Sequence, residues 1–241
     1  RQRQMCIRDR LATVVVSGIS YLSYLLKRYV FHESGTLVSG IIGGLYSSTA
    51  TISVLARKSR KASEQEATEY VAAMLLAVSM MFLRFMILIL IFSREIFLSI
   101  YPYLLIMSVV SAIVGWFVHS RQKLPKDTSV ESEEDDSSNP LEFKVALIFA
   151  VLFVVFTVLT HYTLVYAGTS GLNLLSFVSG FSDITPFILN LLQNTGSVAV
   201  LIITACSMQA IVSNILVNMF YALFFAGKRS KLRPWILGGF G

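Results

Sequence analysis

"GGLYSSTATISVLARKSR", residues 43–60, begins inside an apolar stretch and ends on Arg57, Lys58 and Arg60. Its centre, Ser47-Ser48-Thr49-Ala50-Thr51, sets hydroxyls where the flanking pattern sets Leu and Val. Lipid offers no partner for polar groups, so such a run inside an apolar segment must face other protein or a hydrated site. The reading of the whole chain turns on which of these it is.

Around this stretch the chain is 55% hydrophobic and only 14% charged, with a mean hydropathy of +0.69. Soluble chains carry about 25% charged residues. A membrane-crossing helix needs about 20 mostly apolar residues. Seven such segments can be drawn, at 11–31, 36–56, 70–92, 97–119, 143–167, 171–193 and 197–226, with a truncated eighth opening at Trp235. The expected fold is an all-α polytopic membrane protein whose first partner is the lipid bilayer. The net charge of +6 does not imply nucleic acid, because the basic residues stand at segment ends, where they anchor topology and meet phospholipid. Cys206 reads as a small packing residue, and no spacing of Cys or His suggests a disulfide, a metal or a cofactor.

Both ends read as cut. Residues 1–10, "RQRQMCIRDR", lack an initiator Met and a signal-peptide core and are expected to be non-native or disordered. At the other end "GKRSKLRPWILGGFG" stops as a new apolar stretch starts.

Residues 120–142 hold Pro125, Pro140 and the run Glu131, Glu133, Glu134, Asp135, Asp136, the composition of a solvated connector. It separates a first membrane repeat, 11–119, of four helices from a second, 143–241, of three helices and the start of a fourth. Sliding the second half back by 136 positions sets Gly180 on Gly44, Asp183 on Ser47 and Thr185 on Thr49. A connector shorter by six residues then brings Asn214 over Arg84. Two tandem repeats of four segments each predict a parallel relation between them.

Few charges lie inside the segments. Arg84 stands in "MMFLRFMILILI" and Asp183 in "VSGFSDITPF". A charge at mid-membrane costs about 2.5–3.5 kcal/mol on insertion scales, so each is expected to face the bundle interior. Arg84 is about 12 Å of helix rise from the end of its segment, too far for snorkelling. The hydroxyl run, and its counterpart broken by Gly180, Ser182, Asp183, Thr185 and Pro186, mark interrupted helices at matching places in the two halves. Ser47, Ser48, Thr49, Thr51, Arg84, Ser182, Asp183, Thr185 and Asn214 are therefore the candidate ligand-binding residues, expected to converge on one pocket. Packing is the competing reading: Gly35, Gly40, Gly43 and Gly44 suit close helix contact, and Asn190, Gln193, Gln209, Ser213 and Asn218 suit inter-helix hydrogen bonding.

"GGLYSSTATISVLAR", the span with "MFLR", the acidic linker followed by "NPLEFKVALIFAVLF", then "SGFSDIT" and "VSNILVNMF" resemble the membrane domain of unknown function 4010 from Leu11 to Gly241. The resemblance implies a multi-pass protein of the bacterial inner membrane, in a family that commonly follows an MgtC/SapB-type domain, which would then precede this chain as a partner. The family's second half carries two acidic residues after its Gly-Leu pair; here Asp183 matches the first and Thr185 replaces the second. A Lys of the family is Asn218 here. No reaction comes with the resemblance.

The function expected is a transporter or channel for an ion or small solute, acting through a polar midplane site. The alternative is a non-transporting regulatory or assembly subunit, as a homo-oligomer or with another membrane protein. Catalytic readings are weakest: G-x-S-x-G, a metal-spaced His pair and a phosphate loop are all absent from the sequence.

Overall fold

The computed structural model describes residues 35–120, 151, 154–163, 165–181, 183–193 and 199–226. The first apolar segment, the acidic connector, the opening of the fifth segment and the stretch from Trp235 lie outside them. The described residues form helices α1 (Thr36–Lys61), α2 (Glu64–Phe92), α3 (Arg94–Ser120), α4 (Val154–Thr163), α5 (Gly168–Ser179), α6 (Thr185–Gln193) and α7 (Val200–Ala226), with no strand among them. Three of these, at Glu66–Phe92, Arg94–Ser120 and Val200–Phe225, are long and apolar enough to cross a membrane. The chain divides into two compact units, residues 1–130 with 215–241, and residues 131–214.

In the first unit, α2 starts on a capping box that the local sequence writes out. Ser63 Oγ accepts from the Glu66 N–H at 3.3 Å, and Glu66 Oε2 accepts from the Ser63 N–H at 2.7 Å. α3 returns antiparallel to α2, because Ser108 meets Ser79 while the later Gly115 meets the earlier Ala72 and Leu75. Ser79 Oγ donates to the Ser108 carbonyl at 2.8 Å, and Ser108 Oγ donates to the Ser79 carbonyl at 3.1 Å. Such inter-helix bonds average about 0.6 kcal/mol in membranes. A Ser79→Ala, Ser108→Ala double-mutant cycle, read by thermal unfolding in detergent, should return a coupling of that order. The rest of α3 turns Tyr103, Ile106, Ile113 and Trp116 outward, a surface made for lipid.

The second segment is not a straight crossing. Gly40 packs on the backbone of Ala73 and Gly44 on that of Ala77, so the two contacts climb α1 and α2 together. The first leg of α1 therefore runs parallel to α2. Yet only Ala62 and Ser63 separate the end of α1 from the start of α2. The chain must reverse inside α1, and it does so at Ser47, whose backbone (φ −155°, ψ 106°) is extended between two helical legs.

The second unit also holds a reversal. α4 and α5 meet at a sharp corner, where Gly168 takes φ +56° and Gly171 folds back against Thr163. A left-handed φ of that kind is open to glycine at little steric cost. α5 then runs parallel to α7: Asn173 meets Cys206, Phe177 meets Ser213, and Gly180 meets Asn214. α6 runs parallel to α4, pairing Phe187 with Phe156 (ring centroids 5.6 Å apart) and Asn190 with Thr157. The sixth segment, expected as one helix, is thus a hairpin of 12-residue and 9-residue helices. These rise about 18 and 14 Å, well short of a hydrocarbon core about 30 Å thick.

Candidate functional site: two polar hairpin tips

Each hairpin reverses beside the midpoint of a long helix. Gly44 meets Ala77, halfway along Glu64–Phe92; Gly180 meets Ser213, halfway along Val200–Ala226. The polar residues singled out by the sequence are those at the turns.

At the first tip Ser47 ends one leg and caps the next. Its Oγ accepts from the Ala50 N–H at 3.4 Å, satisfying one of the four N–H groups that a helix start leaves open. The reversal is tight. A Cβ on Gly43 would lie 2.5 Å from Thr51 Oγ1 and 3.2 Å from Thr51 Cβ, whereas eight residues of straight helix rise about 12 Å. The hydroxyl of Thr51 therefore folds over Gly43, and Ser53 Oγ donates to the Thr49 carbonyl at 2.8 Å. Ser48 is buried; Ser47, Thr49 and Thr51 are partly accessible. Arg84 is 7% exposed and sits about 10 Å of rise beyond Ala77 on α2, past the depth at which the hairpin turns. Its guanidinium is held out of lipid, as its cost there demands.

At the second tip the problem is the C-terminus of α5, whose last carbonyls have no helical partner. The neighbouring helix supplies donors. Ser213 Oγ donates to the Phe177 carbonyl at 2.7 Å, and Asn214 Nδ2 donates to the Gly180 carbonyl at 3.1 Å. The Gly180 N–H closes the last turn on the Phe177 and Val178 carbonyls. Beyond the turn, Asp183 Oδ1 accepts from the Thr185 N–H at 2.9 Å and so caps α6, with its charge at the positive end of the helix. Thr185 and every residue from there to Leu192 are buried.

Asp183 corrects the expectation of an inward carboxylate: it is exposed, and its cap bond is local. Asn214 is buried at the second tip, where it serves the broken backbone. Ser47 to Thr51 and Arg84 belong to the first unit, Asp183, Thr185 and Asn214 to the second; Ser182 lies outside the described residues. Asn190 and Ser213 are inter-helix bonds, as their residue types suggested, and Asn190 Nδ2 donates to Thr157 Oγ1 at 2.8 Å. The partner Thr157 was not singled out, because a single Thr in an apolar segment carries no pattern. Among the described residues no group of three or more His, Cys, Asp and Glu could hold a metal ion.

The expected six-residue shift between the halves does not hold. Ser213 follows Gly180 at the interval by which Ala77 follows Gly44, and Val200 follows Glu64 by the same 136 positions. Asn214 therefore has no positional relation to Arg84.

The family described as Domain of unknown function (DUF4010) matches residues 14–226. An "Uncharacterized protein" of Aquifex aeolicus (strain VF5) is 26% identical over 205 residues, which cover 84% of this chain and 87% of the relative. No solved structure matches the chain.

Proposed function

The chain belongs to the family described as Domain of unknown function (DUF4010), and we propose that it passes an ion or small solute across a membrane, as a transporter or channel. One observation carries this reading: each of two hairpins turns beside the midpoint of a long apolar helix, on residues that cap the returning helix, Ser47 and Asp183. Paired broken helices are where membrane transporters place solute and coupling-ion sites. Ser47, Ser48, Thr49 and Thr51 offer hydroxyl oxygens at one tip, with Arg84 deeper in the same unit, and Asp183 and Thr185 bring a carboxylate and a hydroxyl to the other. Long side chains in helices lean toward the helix N-terminus, which for Arg84 is the direction of the Ser47 turn.

The proposal extends to architecture. Residues 11–119 and 143–241 are tandem repeats joined by the 120–142 connector, a relation supported by the equal intervals from Gly44 to Ala77 and from Gly180 to Ser213. The protein works in the inner membrane of a bacterium, beside an upstream MgtC/SapB-type domain, and catalyses no covalent step.

Liposomes holding the purified protein test the reading, with gradients of H⁺, K⁺, Mg²⁺ and phosphate imposed in turn. Flux of one of these, lost in Asp183→Asn and in Arg84→Ala with unchanged thermal unfolding, supports it. Equal loss of folding in both variants makes the two residues structural. The outward face of α3 favours a second reading, an assembly subunit bound through Tyr103, Ile106, Ile113 and Trp116. A stoichiometric membrane partner that co-purifies, with no flux under any gradient, would establish that alternative.

A further inference from the structure

We propose that the second and sixth apolar segments are re-entrant: each dips to mid-membrane, reverses, and leaves by the side it entered, and water reaches the tip at Asp183. This stands on the helix course alone and not on the solute reading above.

Direction is the first ground. A segment that crosses cannot run parallel to the helix that follows it through a short connection. The first leg of α1 runs parallel to α2, with only the leg after Ser47 and then Ala62 and Ser63 between them, and α5 runs parallel to α7. Length is the second ground, since none of the legs in the second unit spans the hydrocarbon core. Depth is the third, given by Ala77 and Ser213 at the midpoints of their helices.

Accessibility follows from backbone chemistry. Non-helical backbone at membrane depth persists only where protein buries it or where it lines a water-filled cavity. Ser213 and Asn214 cover the carbonyls of Phe177 and Gly180, but Phe181 and Asp183 are exposed beside them. A carboxylate and an open turn at that depth, bare of protein, require water. An aqueous path therefore reaches the tip of the α5–α6 hairpin. The even number of crossings per half, from which a parallel relation between the repeats was expected, lapses with it.

Single cysteines read this directly, in a Cys6→Ser, Cys206→Ser background expressed in cells and in inverted vesicles, with a membrane-impermeant maleimide as the probe. Gly35→Cys with Ala62→Cys brackets the first hairpin, and Ala167→Cys with Ala199→Cys brackets the second. Gly35 has no atom within 4 Å of an added Cβ, Ala167 and Ala199 are exposed, and Ala62 is only half-buried at the end of α1, where a Cys adds one sulfur. Both members of each pair should label from the same side, and Asp183→Cys should label from at least one side at least tenfold faster than a lipid-facing Ile106→Cys control. Labelling of either pair from opposite sides overturns re-entrance. Same-side ends with an unreactive Asp183→Cys overturn the aqueous tip. A second measurement is independent of sidedness: Gly43→Cys with Thr51→Cys should oxidise in detergent to an internal disulfide, read by mass spectrometry as loss of both maleimide adducts. The Cβ separation there, 3.2 Å, is a few tenths of an ångström inside the disulfide range of about 3.5–4.5 Å and within reach of a small shift, and eight residues of straight helix would forbid one. Retention of both adducts overturns the hairpin in the first unit.

Discussion

Gly180→Ala and Gly44→Ala should each lower the free energy of unfolding in detergent by about 3 kcal/mol, while Gly35→Ala changes it by less than about 0.5 kcal/mol. The contrast comes from what a methyl group would meet. At Gly44 it would fall 2.5 Å from the Cα and 2.6 Å from the carbonyl oxygen of Ala77. Both are backbone, and neither can turn aside. At Gly180 it would meet the Ser213 side chain and come within 2.8 Å of the Asn214 backbone nitrogen. Relief there would push α5 off α7 and stretch the two bonds that satisfy its terminal carbonyls. An unsatisfied buried carbonyl adds about 1–3 kcal/mol to the steric cost. Gly35 faces open space. Unfolding followed by circular dichroism across a graded denaturing-detergent series measures all three. Equal behaviour of Gly35→Ala and Gly180→Ala would mean that the hairpin does not pack as described.

Asp183→Asn and Asp183→Ala should separate charge from capping. Asn caps helices about as well as Asp, and Ala does not, at a typical cost of about 1 kcal/mol. The stability of Asp183→Asn should thus stay near that of the unaltered protein, and Asp183→Ala should fall by about that amount. Solute flux should behave differently. Hydrogen bonds to a charged group are worth about 1.5–3 kcal/mol, so losing the charge should slow flux about 10- to 100-fold in both variants. Flux that follows the cap, intact in Asn and reduced in Ala, would assign Asp183 to holding α6 and nothing more. Full flux in both would remove it from the site.

Much of this was legible in residue order because membranes impose strict chemistry. Apolar length sets out α2, α3 and α7, although α2 starts six residues before the apolar pattern, at 70, because Ser63 and Glu66 close a capping box there. Ser47 and Asp183, set in register by simple offset in the sequence, each accept from a backbone N–H at the start of a helix. The shift that placed Asn214 over Arg84 did not survive. Two apolar helices slide past one another in an alignment at almost no penalty, and only the glycine contacts fix their register.

Composition and spacing alone made this an apolar helical chain with interrupted second and sixth segments, because lipid tolerates few other arrangements of backbone polar groups. That the interruptions are reversals was decided by packing. Whether a broken helix continues or doubles back depends on what meets its glycines. Here Gly44 lies on Ala77 and Gly180 on Ser213, contacts between residues far apart in the chain that no local pattern records. The same holds for Asp183. Its charge argues for an inward position, but the turn it occupies leaves it exposed and bound to its own helix.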